Sequence, residues 1–513
     1  MIIIIITAIF LLRNYLLYLY HNYPFGHDCF GHLYNISMIK TYGVRETAFL
    51  NTADYFKNTF ILCDNNLGRP PLYYIIIILL DIFANNIQIT MLFLAPILFL
   101  LMTIYYTFKT SELIVKDSGI YSIVLLSLFP GTILISSGIS LYFAQTAFIS
   151  AAFYYFFKSS FLRDKKQSFI FGLFFGLGML IKEQFFTFFI GPFLISSISM
   201  IRNKEKPYFV NIGLFLLAAV LTGGPLFAAS HAGRYTGHEQ FMSGINSFSS
   251  EFYKYISGFV RNISIPLSIF LFLAIIKGIR QKKILPILFI SSFIGAISIF
   301  SMYRVCGDDF HWYYAAGSIP LAAMVMGIFL KTEKNISSAV LLSTLLLFYC
   351  FKAIIYLDDV NITPFRSFQT KEIIRILQEN GITKNSNLKL TVFNQTDSVS
   401  GFEIPVLLMS NGYKGYVNNT EFFEFNNLMH TGEFDVMVFI RQDRSLSWPE
   451  YDVFKEKADA ALKSHDIANK ELIDNIYNTK ANMRCIATLP YFQSKDEDPV
   501  FISVFLKDDF YSR

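Results

Sequence analysis

A chain of 513 residues that is 53% hydrophobic and only 16% charged, with mean hydropathy +0.44, carries more apolar surface than a soluble fold can bury. A soluble domain has roughly 25% charged residues. Net charge is +5, and the Lys and Arg residues sit in short clusters between apolar runs, so they read as membrane-topology determinants and imply no DNA or RNA partner. The five cysteines are scattered without CxxC spacing, which argues against a zinc site or a disulfide scaffold and leaves a Cys29 to Cys63 bridge open.

Apolar runs of about 20 residues recur from Ile2 to Leu357, each long enough to cross a hydrocarbon layer about 30 Å thick, and they sum to about eleven transmembrane helices. The first, MIIIIITAIFLLRNYLLYLY, lacks a basic n-region and a small-residue cleavage site, and reads as a retained helix. Asn22 to Pro70 then form an unusually long loop with amphipathic stretches at Cys29 to Tyr42 and Asn51 to Cys63; loops of that length are uncommon unless they work.

Five basic turns mark the cytoplasmic side: Lys109 and Lys116; Lys158 to Lys166; Arg202 to Lys206; Lys277 to Lys283; Lys331 and Lys334. The intervening turns, near Ser137 to Leu141, Lys182 to Gln184, Ser230 to Lys254 and Arg304 to His311, face the other side, and so does the tail after Leu357. Parity then leaves Pro71 to Ala84 without room to be a simple crossing if the helix from about Ile87 to Phe108 enters from outside. The run is short and contains Asp81, so a re-entrant or interface-lying helix is expected, unless the first helix is oriented the other way.

The chain divides into a membrane domain, 1–360, whose first outer loop is 22–70, and a small extracytoplasmic α/β domain, 361–513. In the tail, Thr370 to Asn380 has helical spacing and stops at Gly381. Leu388 to Phe393, Phe434 to Ile440 and Val500 to Leu506 read as strands, and Pro449 to Ser464 as a helix. No phosphate loop, GxSxG or HExxH occurs there, so the tail reads as a substrate-covering or acceptor-docking module.

Chemistry-bearing residues concentrate in the outer turns. Asp28 and His32, four apart in YPFGHDCFGHLYN, share a face if that segment is helical. A partly desolvated carboxylate there suits a general base, although Asp28 equally suits an N-cap. Arg69 precedes two prolines and an apolar helix, a rigid mount for a guanidinium aimed at a phosphate or, alternatively, snorkelling to lipid headgroups. Lys182 and Glu183 occupy a turn at or just below the membrane surface, where charge needs a cavity, a ligand or mutual pairing. The turn RVCGDDFHWYYAAGSIP crowds Asp308, Asp309, His311, Tyr313 and Tyr314. Its adjacent carboxylates raise a divalent cation, but two neighbours fall far short of an octahedral set, so no metal or other cofactor is assigned; the tyrosines also fit an interfacial aromatic belt.

The order and sidedness of these motifs resemble the GT-C superfamily of polytopic glycosyltransferases, especially the branch of protein O-mannosyltransferases and aminoarabinose transferases. The likeness spans about residues 1 to 330: Asp28 and His32 in the first outer loop, Gly43 closing that helix, RPPLYY, the Lys of MLIKEQ, and HWYYAAGSIP. It implies an inverting transfer of a sugar from a polyprenyl-phosphate donor to a glycolipid, glycan or protein acceptor on the extracytoplasmic face of the cell membrane. It also implies Asp28 as base, and Arg69, Lys182 and His311 around the departing phosphate. Two positions depart from the pattern: Cys29 follows Asp28 where many members have Glu, and His311 stands where Arg-Tyr is common. The competing readings are a carrier or lipid flippase, for which the sequence shows neither broken helices nor an internal repeat, and a non-catalytic membrane scaffold.

Overall fold

The computed structural model describes residues 2–21, 36, 39–40, 72–85, 89–136, 140–203, 208–231, 248–302, 312–332, 367–382, 389–394, 416–421, 436–442, 483–492 and 500–507. The chain forms two compact units, Met1–Gly26 with Gly68–Ile362, and His27–Leu67 with Thr363–Arg513.

The first unit is helical. Its described elements are α1 (Ile2–His21), α2 (Leu72–Ala84), α3 (Ala95–Ile114, entered through a π-helical turn Thr90–Leu94), α4 (Gly119–Leu128), α5 (Pro130–Ile135), α6 (Leu141–Lys158) and α7 (Lys165–Met179). A 3-10 turn, Glu183–Phe186, leads into α8 (Thr187–Arg202), followed by α9 (Tyr208–His231), α10 (Phe248–Ile263), α11 (Ile265–Arg280) and α12 (Ile284–Met302). A second 3-10 turn, Trp312–Ser318, leads into α13 (Ile319–Thr332).

Among the described residues four stretches are individually long and apolar enough to cross a bilayer: Ala95–Ile114, Gln184–Arg202, Ile284–Ser301 and Tyr313–Thr332. Several other apolar helices are shorter, among them Gly119–Leu128 and Phe209–Gly224. Their exposed side chains are large and apolar, as at Leu194, Ile198, Ile269 and Phe272, which is the surface of a multi-pass membrane protein facing lipid.

Phenylalanine fills the space between helices. Phe153 of α6 stacks on Phe189 of α8 at 4.4 Å between ring centroids, and Phe171 of α7 stacks on Phe215 of α9 at 4.8 Å. The close approach of α7 to α9 rests on glycines: a Cβ at Gly176 would lie 2.5 Å from the Ala219 carbonyl oxygen, and one at Gly223 would lie 2.7 Å from the Gly176 oxygen.

Contacts at the helix ends sort the turns into two groups. At one end are the basic turns. Lys331 pairs with Asp117 at 3.5 Å, joining the end of α13 to the α3–α4 turn. Ser196 of α8 and Asn211 of α9 donate to the backbone of the α6–α7 turn, at Phe161, Leu162 and Arg163. At the other end meet the turns that carry the candidate chemistry.

α2, the element of the parity problem, packs along the entry of α3. Tyr73, near its start, stacks on Phe99 of α3 at 6.0 Å, and Asp81, near its end, accepts a hydrogen bond from Thr90 Oγ1 at 3.2 Å, so α2 runs antiparallel to the entry of α3. Phe99 lies about 22 Å along α3 from Ile114 at 1.5 Å per residue, so the described α2 begins well short of the basic end. Asn85, at φ 46°, ends it in the left-handed conformation that Asn tolerates.

The described helices are broken at two points that the sequence reading did not anticipate. Phe129 is extended between α4 and α5 because Pro130 follows it and disfavours the α conformation at the preceding residue. Ser264, at φ 76°, separates α10 from α11, and the two axes bend by 102°. Hydropathy does not register such breaks, since apolar side chains continue on both sides of each. α10 packs Tyr255 against Phe293 and Phe300 of α12.

In the second unit the described elements are α14 (Ser367–Glu379) and a five-stranded sheet of β1 (Lys389–Asn394), β2 (Tyr416–Glu421), β3 (Val436–Gln442), β4 (Met483–Phe492) and β5 (Val500–Lys507), in the order β2-β1-β3-β5-β4. β1 pairs in parallel with β2 and β3, and β5 antiparallel with β3 and β4. α14 buries Ile373, Ile376 and Leu377 and is stopped by Gly381 at φ 75°. The strands read at Leu388, Phe434 and Val500 correspond to β1, β3 and β5. β2 and β4 were not anticipated because both are edge strands: β2 is polar (YVNNTE) and β4 carries Pro490 beside a register shift. The helix expected over Pro449 to Ser464 lies outside the described residues.

Candidate functional site at the end opposite the basic turns

Lys182 follows the end of α7, where its backbone N–H still reaches the Gly178 carbonyl at 3.1 Å, and its own carbonyl accepts from Phe185 N at 3.0 Å to start the 3-10 turn. These bonds hold an extended residue between two helices. The side chain is only 7% exposed, and its Nζ lies 4.5 Å from the centre of the Tyr142 ring. An ammonium at that distance from an aromatic face recovers part of its lost hydration from the ring quadrupole.

Tyr142 stands on the first turn of α6, which is capped by Ser140 accepting from the Phe143 N–H at 3.3 Å. The same ring meets Tyr313 at 4.5 Å and Tyr314, edge-on, at 5.2 Å; Tyr314 in turn contacts Phe300 of α12 at 5.8 Å. Three turns far apart in sequence, those before α6, α8 and α13, therefore meet on one tyrosine. A fourth element joins them: the backbone N–H of Leu72, three residues after Arg69, donates to the Leu180 carbonyl at 3.1 Å, tying the start of α2 to the turn that presents Lys182.

Buried polar atoms without a hydrogen-bond partner occur on these same elements: Gln145 Nε2 on α6, Gln184 Oε1 in the 3-10 turn, Ser301 Oγ at the end of α12 and Ser318 Oγ at the entry of α13. Such atoms are not confined to this end, since Gln167 Oε1 and Asn211 Oδ1, by the α6–α7 turn, are also buried without a partner.

Of the expected site residues, Lys182, Tyr313 and Tyr314 are described and brought together. Asp28, His32, Arg69, Asp308, Asp309, His311 and the side chain of Glu183 lie outside the described residues. Among the described residues no three His, Cys, Asp or Glu side chains cluster as metal ligands. Two residues of this end were missed from the sequence. Tyr142 had only a weak signal, a lone tyrosine at the mouth of an apolar helix. Arg13 had a strong one, a cation inside a 20-residue apolar helix, where intramembrane charge is expensive unless it is used.

No protein-family model matches this chain, and no curated protein does. Solved structures similar to it over almost its whole length include two of ArnT. ArnT from Cupriavidus metallidurans in the apo state superposes with a TM-score of 0.52 at 10% identity, covering 97% of this chain and 97% of ArnT. ArnT bound to undecaprenyl phosphate gives 0.54 at 10% identity, covering 98% and 97%. At that identity the likeness is one of fold alone.

Proposed function

We propose that this protein is an inverting glycosyltransferase of the cell membrane that moves a sugar from a polyprenyl-phosphate donor to an acceptor on the extracytoplasmic face, with the second unit on that face and about eleven crossings in the first. The observation that carries the reading is the meeting of Lys182, Tyr142, Tyr313 and Tyr314 at the end opposite the basic turns, in a chain whose fold matches a protein solved with undecaprenyl phosphate.

In this reaction the acceptor hydroxyl attacks the anomeric carbon, the bond from that carbon to the phosphate oxygen breaks, and its electron pair leaves with the lipid phosphate. Asp28 takes the hydroxyl proton, with His32 beside it in sequence. Lys182, with Arg69 and His311, meets the charge that grows on the departing phosphate, and removing one such donor costs about 100- to 1,000-fold in rate. Tyr142 holds the Lys182 ammonium in place, and Tyr313 and Tyr314 hold the ring. Glu183, Asp308 and Asp309 flank the same turns as secondary polar groups. No metal is required by this scheme.

The test is transfer of radiolabelled sugar from a panel of polyprenyl-phosphate donors by membranes containing the wild type, Asp28→Asn or Lys182→Met at equal expression. Asp28→Asn is expected to lose at least about 100-fold, the usual contribution of a general base. Transfer unchanged in Asp28→Asn would keep the enzyme and discard this base. Absence of transfer from every donor would favour a carrier, and lipid translocation in proteoliposomes would then be measured.

A further inference from the structure

Arg13 lies on α1, about 17 Å along the helix from Ile2 and so within the depth of the hydrocarbon layer. Its Nη1 donates to the Ile133 carbonyl at 2.8 Å, and the neighbouring Asn14 donates to the Ser136 carbonyl at 3.2 Å. Both acceptors belong to the C-terminal end of α5, the short helix that Pro130 starts. The pair thus joins the Ser136 hydroxyl, which also donates to Ile133 at 2.9 Å, in closing a helix end, and a cation at a helix C-terminus is favourable.

That accounts for one side of the guanidinium. Nε and Nη2 are buried and have no hydrogen-bond partner. These two nitrogens form one edge of the planar fork, the edge that engages two oxygens of a carboxylate or phosphate in parallel bonds. Leaving it empty in a low-dielectric setting is costly, and among the described residues no carboxylate occupies it. Arg13 also stands at the margin of α1 between a packed stripe, Ile6, Phe10 and Asn14, and an exposed one, Ile5, Ile9 and Leu12. A group arriving laterally from the membrane meets that margin, whereas a soluble anion would have to cross apolar surface to reach it.

Resting on the donor assigned above, we propose that the Nε–Nη2 edge of Arg13 is a phosphate-binding site for the polyprenyl-phosphate lipid, a contact additional to those of Arg69, Lys182 and His311. Arg13 is a binding residue in this account, and its Nη1 bond to Ile133 sets the direction in which the edge points.

The experiment is native mass spectrometry of the full-length wild type, Arg13→Gln and Arg13→Lys, titrated with undecaprenyl phosphate, undecaprenol or inorganic phosphate, with the ligand-free melting temperature recorded for each. The wild type is expected to bind undecaprenyl phosphate and not undecaprenol. Both variants should bind the lipid phosphate at least tenfold more weakly. Arg13→Lys keeps a cation for the α5 carbonyls and hence the ligand-free melting temperature, but offers no fork. Wild-type affinity in a folded Arg13→Lys would overturn the proposal, because a helix-capping charge would then suffice. Inorganic phosphate displacing the lipid at equal concentration would overturn the lipid as the source. If the wild type binds no undecaprenyl phosphate but inorganic phosphate binds in an Arg13-dependent manner, the donor assignment fails while the oxyanion edge stands.

Discussion

Tyr142→Leu removes the ring on which three turns converge while leaving an apolar side chain at a position only 8% exposed. The ring contributes a cation–π contact with Lys182 at 4.5 Å, worth about 2 kcal/mol when desolvated. It also makes aromatic pairs at 4.5 Å and 5.2 Å with Tyr313 and Tyr314, each worth about 0.5–1.5 kcal/mol beyond area burial. Because the contacts share one ring they do not add fully, and about 3 kcal/mol is the expected loss of local stability. The cation–π share alone, released as freedom of the ammonium, corresponds to at least about tenfold weaker stabilisation of a bound phosphate, at 1.4 kcal/mol per factor of ten. Tyr142→Phe keeps every ring contact and is expected to stay near wild type. The assay is kcat/KM for sugar transfer together with the melting temperature in detergent for both variants. Tyr142→Leu matching Tyr142→Phe in both would refute the claim that the ring positions Lys182.

Three further substitutions test the packing of the helical unit. Gly176→Ala puts a methyl group 2.5 Å from the Ala219 carbonyl oxygen, so α7 and α9 must separate; a loss of about 1–3 kcal/mol should appear as a lowered melting temperature, with Gly213→Ala, which meets nothing within 4 Å, as the neutral control. Asn211→Leu deletes the donor to the Leu162 and Arg163 carbonyls at 2.8 Å and 2.9 Å, beneath a turn in which Ser160, Phe161 and Leu162 all have positive φ; stranding those oxygens should cost about 1–3 kcal/mol each, read by thermal unfolding. Glu112→Ala removes a carboxylate that accepts from the Gly119 and Asp117 N–H groups at 2.7 Å and 3.0 Å at the start of α4; loss of that cap should cost about 1 kcal/mol, measured in the same way.

The membrane class was written in local chemistry, because an apolar run long enough to cross a bilayer is a property of a few consecutive turns and needs no partner to be recognised. The basic turns were legible for the same reason, and the contacts Lys331–Asp117, Ser196–Phe161 and Asn211–Leu162 gather them at one end. Order along the chain was also enough to single out Lys182, Tyr313 and Tyr314 as residues of turns opposite the basic ones. What composition could not show was their meeting on Tyr142, since residues 142, 182 and 313 touch only through the packing of α6, α7, α8 and α13. The same holds for α2: its length and Asp81 allowed a re-entrant or an interfacial helix, and only the pairings Tyr73–Phe99 and Thr90–Asp81 show that it lies antiparallel against the entry of α3. The breaks at Phe129 and Ser264 escaped because hydropathy sums side chains, whereas a break is a backbone event. Arg13 shows the division most sharply. The sequence alone places a charge inside an apolar helix, but which of its donors are used and which are left for a ligand depends on where α5 ends, 120 residues away.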